Sequence, residues 1–252
     1  MGKLLKFEFR KLQKSKGFYI CLFLSLGMLL ISAFSAKSLM GNSESGGFVY
    51  PLADFVRDTL SNGNVVLLTG IFVAIFLCED DSCGTIKNIY AKGYSRENVF
   101  FAKYIVSLAG VMVIVLLDFL ISYLYSLAYF DATAEKGNLI VDIIGQIVVM
   151  IAYHAIFVAI SAWMKKIGGA VAFNIVGPSL VSLVLTMIDI ALKLKDKLEG
   201  FLFSNYWVQA FMYDFTLASP STSAIVTGLV GSAIYIAIAI VLGLLASKKK
   251  EL

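Results

Sequence analysis

One histidine, three cysteines, three prolines and two tryptophans are spread over 252 residues, and each shortage closes off a class of chemistry. A lone imidazole, His154, cannot form the His-Glu-x-x-His pair of a zinc peptidase. Cys21, Cys78 and Cys83 are odd in number and scattered, which gives neither a disulfide framework nor metal-ligand spacing. Reduced structural thiols and no bound metal are expected. Charge is also thin, at 15 % Asp, Glu, Lys and Arg against about 25 % in an ordinary soluble domain. The chain has no Gly-x-x-x-x-Gly-Lys-Ser/Thr loop to cradle nucleotide phosphates and no serine-nucleophile elbow. These gaps argue against an enzyme and against any cofactor held by this chain.

What is abundant is apolar sequence: 59 % of the residues are hydrophobic, with a mean hydropathy of +0.85. From Phe215 to Ser247 there is no Asp, Glu, Lys, Arg or His, and Lys248-Lys249-Lys250 follows. A helix needs roughly 20 apolar residues to cross the ~30 Å hydrocarbon core. Only helices and closed barrels satisfy their backbone polar groups there. Six such stretches occur, over about 17–36, 58–78, 99–130, 139–164, 167–192 and 221–247. The expected fold is an all-α integral membrane protein, residues 1–252 forming a single transmembrane domain. Too little chain remains outside the spans for a separate soluble domain of the usual 100 residues or so.

The second stretch is the weakest, because its strictly apolar part, Val65–Cys78, is too short alone and must borrow residues from 60–64 or lie beside other helices that cover its polar Asn62 and Asn64. Only Lys165-Lys166 separates the fourth span from the fifth, so a tight hairpin is expected, with Gly168-Gly169 permitting close helix approach. The first apolar run follows a basic segment and reads as a retained span rather than a cleaved leader.

Orientation follows from the basic residues. With the N-terminus inside, 15 of the 21 Lys and Arg fall on inner segments, which places both termini in the cytoplasm by the positive-inside bias. The net charge of +4 is this bias, and no nucleic-acid partner is needed to explain it.

Three segments outside the spans carry pattern. In residues 3–14, Leu5, Phe9 and Leu12 recur at helical spacing while Arg10 and its basic neighbours turn elsewhere, suiting a helix on the inner membrane surface or a plain basic flank. In the inner loop 79–98, Gly84 permits a sharp exit and Thr85–Lys92 is long enough for two helical turns. Ile86, Ile89 and Tyr90 would share one exposed face needing cover from headgroups or a partner. Gly93 ends that helix, and Ser95 caps the third span. Outside, the aromatic run Phe201, Phe203, Tyr206, Trp207 and Phe211 favours the membrane–water boundary or a packed surface loop. Gly41–Pro51 reads as a polar outer loop.

Ionisable groups within spans often mark pathways. Asp118, His154 and Asp189 are the candidates here, with Asp142 near an outer end and Pro178 a point of kinking or loosening. For Asp118 and Asp189 a place on a translocation path stands beside outer-end capping or helix pairing. For His154 a proton relay stands beside a hydrogen-bonded packing role.

The Phe-Glu-Phe-Arg-Lys-Leu run, the six-span plan, the Gly-Thr-Ile-Lys-Asn…Lys-Gly-Tyr-Ser-Arg string and the aromatic outer segment together resemble the permease subunit of bacterial ABC type-2 exporters. The resemblance is to the branch serving lantibiotic immunity and small-peptide export, including exporters of phenol-soluble modulins. It implies that residues 3–14 are an interfacial connecting helix and residues 200–215 a partly re-entrant outer element. It also implies that 84–92 are a coupling helix seated in a separate ATP-binding subunit, with Glu79, Gly84, Thr85, Ile86, Lys87, Asn88, Ile89, Tyr90 and Lys92 as its contact set. Two permeases, identical or related, and two ATPases would form the transporter in the bacterial cytoplasmic membrane. ATP and Mg would be held by the ATPases, and an amphipathic peptide would be the substrate. An ion-coupled carrier or channel using Asp118, Asp189 and His154 is the competing reading, as is an ABC exporter of a drug or lipid-like molecule.

Overall fold

A computed structural model describes residues 1–41, 51–61, 63–130, 138–164, 166–192, 202–217 and 220–249. The loop expected over 41–51, the hairpin residue Lys165 and Phe201 lie wholly or largely outside that set. The described residues are helical, with no β-strand among them. In chain order they are α1 (Gly2–Lys14), α2 (Lys16–Gly41), α3 (Leu52–Ser61), α4 (Asn64–Ser82), α5 (Thr85–Ala91), α6 (Arg96–Tyr129), α7 (Leu139–Trp163) and α8 (Ile167–Ala191). A 3-10 turn (Phe203–Tyr206), α9 (Val208–Asp214) and α10 (Thr222–Lys249) follow. Six stretches are long and apolar enough to cross a membrane.

The weak second stretch resolves differently from expectation. Leu52–Ser82 is apolar enough to be counted as one span, but Gly63 adopts a left-handed φ of 75° and divides it into α3 and α4. Residues 58–61 therefore belong to α3. The membrane-crossing part, α4, draws its length instead from residues 79–82 at its other end, reaching 19 residues, or about 28 Å at 1.5 Å per residue. The first span overruns its expected end as well, continuing to Gly41. Helix α8 passes through Pro178 as continuous α-helix.

The core is built where α4, α6, α7 and α10 meet, around Phe72, Phe76, Ile114, Met150 and Phe157, all fully buried. Glycines let the aromatic segment before α10 seat itself there. The Phe215 ring lies against Gly145 of α7 and Gly228 of α10, and the Phe211 ring against Gly231 of α10, at distances that leave no room for a Cβ. Replacing Gly231 by leucine would force Phe211 out and is expected to cost about 1–3 kcal/mol, as overpacking does. The unfolding midpoint in an SDS titration measures it.

The two chain ends meet on one side. Lys248 at the end of α10 pairs with Glu97 at the start of α6 at 2.7 Å, and α1 packs on α6 and reaches the end of α4.

Candidate functional site

The end of the bundle where the two chain ends meet carries the densest arrangement of polar chemistry, centred on α5. Gly84 at φ 70° caps the start of this helix, and Gly93 at φ 83° turns the chain after it. Ser95 Oγ then accepts from the Asn98 N–H to open α6, as the sequence leads one to expect. Seven residues make a helix of only about 10 Å, too short to stand alone in water. Its position is fixed by packing.

That packing reverses one expectation. Ile89 is buried with Leu4 of α1 and Val99 and Ala102 of α6, and Ile86 and Tyr90 are half-buried against the same cluster. The apolar face of α5 is covered from within the chain. The sequence pattern identified the face correctly, but α1 and α6 are what cover it. The surface left open holds Thr85, Lys87, Asn88, Ala91 and Lys92.

In helix α1 the stripe facing the protein is Leu4, Glu8 and Leu12, with Leu5 half-buried, while Phe9 and Arg10 point outward. A carboxylate between Leu4 and Leu12 breaks the apolar period of this stripe, so the sequence pattern does not single it out.

Glu8 belongs to an ionic knot that sequence reasoning missed. Asp80, the penultimate acid before α4 ends, receives Lys103 Nζ of α6 at 2.7 Å and Lys11 Nζ of α1 at 2.9 Å. Thr85 Oγ1 of α5 donates to Asp80 Oδ1 at 3.1 Å. Lys103 also donates to the Leu77 carbonyl at 3.2 Å, and Lys11 to the Phe76 carbonyl at 3.3 Å. Glu79, half exposed, lies 3.5 Å from Lys11. One buried aspartate thus joins α1, α4, α5 and α6. The signal for it was present: Lys103 stands four residues into the apolar stretch that begins at Val99, and such a charge needs a partner.

Glu8 is fully buried, with neither carboxylate oxygen hydrogen-bonded. Desolvation raises its pKa above the ordinary value near 4.5, against an opposing pull from Lys103. A carboxyl raised on folding contributes stability below its unfolded pKa and loses it as pH climbs through the folded value. Glu8→Gln is therefore expected to flatten the decline in unfolding midpoint above pH 4.5, in a melt series across pH.

The remaining candidates occupy separate settings. Asp118 Oδ1 accepts from Ser25 Oγ of α2 at 3.2 Å. His154 Nε2 meets Ser107 Oγ at 2.9 Å, its ring edge-on to Tyr104. Asp189 accepts the backbone N–H groups of Phe203 and Ser204 at 2.8 and 2.9 Å and so caps the 3-10 turn. The three share no hydrogen-bond partner among the described residues. The Pro178 carbonyl accepts from Trp207 Nε1 at 3.1 Å. Trp207 and Phe211 are buried, whereas Phe203 and Tyr206 face outward.

At the opposite end of the bundle, Arg57 Nε of α3 meets Asp142 Oδ2 of α7 at 2.8 Å, both side chains 1 % exposed. Gln146 Nε2 donates to the carbonyls of Arg57 and Phe215 at 2.7 and 3.2 Å. This second polar knot fastens α3, α7 and the segment before α10.

Residues 4–189 match the family model described as "ABC-2 family transporter protein". The comparisons with curated proteins and with solved structures returned no match.

Proposed function

The chain belongs to the ABC-2 transporter family, and from that premise we propose that α5 is the coupling helix that engages a separate ATP-binding subunit. A membrane subunit of an ABC exporter needs a rigid element on its inner face to receive the stroke. The observation that carries the assignment is the Asp80 knot, which fixes α5 to α1, α4 and α6 while leaving Lys87, Asn88 and Lys92 uncovered. A polar, basic face fits an acidic-rimmed cleft on the ATPase better than an apolar one would. Movement imposed on α5 would pass through Asp80 to three helices at once, a shift between two packings driven by differential contact with the partner.

In this reading both termini lie in the cytoplasm, as the basic-residue bias supports, and α1 lies along the inner surface. The turn and α9 form a re-entrant outer element; the bond from Trp207 to Pro178, eleven residues into α8, supports that depth. Of the six spans α8 buries the least of itself, which suits a face covered by a second permease, identical or related, or by lipid. ATP and Mg belong to the two ATPases. The cargo is an amphipathic peptide, expelled for secretion or self-immunity, in the bacterial cytoplasmic membrane.

The test is a charge reversal. The chain is co-expressed with the ATPase that co-purifies with the wild type, and the complex is placed in vesicles. Lys87→Glu with Lys92→Glu should cut peptide export by about tenfold or more, as lost interfacial charge complementarity does, with unfolding midpoints unchanged. Export and co-purification at wild-type levels would remove α5 from the interface.

A further inference from the structure

A cavity of about 370 Å³ lies between α4, α7, α8 and α9. By volume it falls within the ~300–1,000 Å³ of ordinary ligand sites. Asn174 and Ser179 on its wall stand seven and twelve residues into α8, or roughly 10–18 Å from the inner end of that helix. The cavity thus spans from mid-membrane toward the outer segment that carries Gln209 and Tyr213.

Its lining is unusual in what it lacks and in what it leaves unpaired. No charged side chain borders it. Asn64, Tyr153, Ser179 and Gln209 all line it, and none of their side chains bonds to a described residue. Ser179 and Gln209 stand at its exposed side and Asn64 is half-buried, whereas Tyr153 is only 4 % exposed. The wall itself is held in register by Asn174, whose Nδ2 donates to the Gly70 carbonyl at 2.9 Å and to Ser161 Oγ at 3.2 Å. Both amide hydrogens are thereby used, and Oδ1 is left without a partner.

The geometry points to a binding site for a short uncharged peptide segment, occupied during passage through the permease. This rests on the exporter reading above and narrows it. Asn64 and Gln209 each offer one donor group and one acceptor, the pairing that a backbone amide returns in kind. The intervening surface is apolar and aromatic, matching small hydrophobic side chains. A phospholipid headgroup would bring a phosphate for which the lining has no cation. An acyl chain would leave the amides and the phenol unmet. A lysine or glutamate side chain would be desolvated with no countercharge. The site therefore takes the neutral face of an amphipathic peptide and leaves its charged face elsewhere.

Trp207, bonded to Pro178 on the cavity wall, is a built-in reporter once the exposed Trp163 is replaced by phenylalanine. The full chain carrying Trp163→Phe, in lipid nanodiscs without ATPase, is titrated with N-acetyl-Leu-Gly-Leu-amide. A saturable change in Trp207 emission is expected. N-acetyl-Leu-Lys-Leu-amide should bind about tenfold or more weakly, and Gln209→Leu or Asn64→Leu should weaken the neutral probe about tenfold, the scale of one lost hydrogen bond to the peptide. The proposal is overturned by no saturable change, by equal binding of the two peptides, or by binding that both variants leave untouched. Displacement of the probe by short-chain phosphatidylcholine at lower concentration would assign the cavity to lipid and overturn it too. Because no ATPase is present, failure here leaves the α5 assignment standing, and failure of the charge reversal leaves this site standing.

Discussion

Arg57→Met is expected to destabilise the protein by about 3–5 kcal/mol, the cost of stranding one partner of a buried ion pair. Arg57 and Asp142 are each 1 % exposed and joined at 2.8 Å. Removing the guanidinium leaves the Asp142 carboxylate in a low-dielectric interior, with water excluded and no donor in its place. The reverse change, Asp142→Leu, should cost as much. The double variant Arg57→Met/Asp142→Leu should recover most of the loss, because an apolar pair of similar volume removes the desolvation penalty altogether. SDS-titrated unfolding of the three variants forms a double-mutant cycle. A double variant no more stable than the singles would mean that Gln146, Arg57 and Phe215 are held by this ion pair as a specific lock.

The sequence carried the number and approximate place of the spans because a run of apolar residues is a strong, local signal. The family resemblance was likewise legible in the inner-loop string and the plan of spans. What could not be read was which face of a short amphipathic element is covered, and by what. Ile86, Ile89 and Tyr90 were visible as one face of a helix, but their cover comes from Val99 and Ala102 of α6 and from Leu4, some 80 residues earlier. No local period reports that distance. In helix α1 the stripe against the protein includes Glu8, and a pattern search that rewards apolar residues passes over a carboxyl held among lysines.

The charged groups show the same limit from the other side. Asp118, His154 and Asp189 stood out because they interrupt apolar runs, yet the structure gives each a local partner in a different place. Lys103, Asp80 and Lys11 drew no notice, since each sits close enough to a span end to pass as an ordinary flanking charge. Their meaning lies in convergence from three helices, which spacing along the chain does not encode. Gly63 is intermediate. A glycine between two asparagines is a visible turn signal, and the need for apolar length argued against honouring it.

The Asp80 knot yields the other large expectation. In Asp80→Asn, Lys103 and Lys11 keep their side-chain exposures of 7 % and 16 % but lose the carboxylate between them. Two ammonium groups left together at low dielectric repel, and a loss of about 3–5 kcal/mol in stability is expected. Export should fall by about tenfold or more through loss of the link from α5 to α1 and α6. Stability and coupling can be separated with Asp80→Leu/Lys103→Leu. That double variant removes the desolvated pair and leaves Lys11 with Glu79 at 3.5 Å and the Phe76 carbonyl at 3.3 Å, so most of the stability should return. Export should not return, because Thr85 keeps only the main-chain carbonyl of residue 80, at 3.3 Å, and loses the carboxylate that tied it to α1 and α6. ATP hydrolysis by the co-purified ATPase, measured alongside, should persist while transport stays low, the signature of a stroke delivered and not transmitted. Recovery of export together with stability would show that the knot only braces the fold, and that α5 conveys its motion through the Leu4–Ile89–Val99 contact instead.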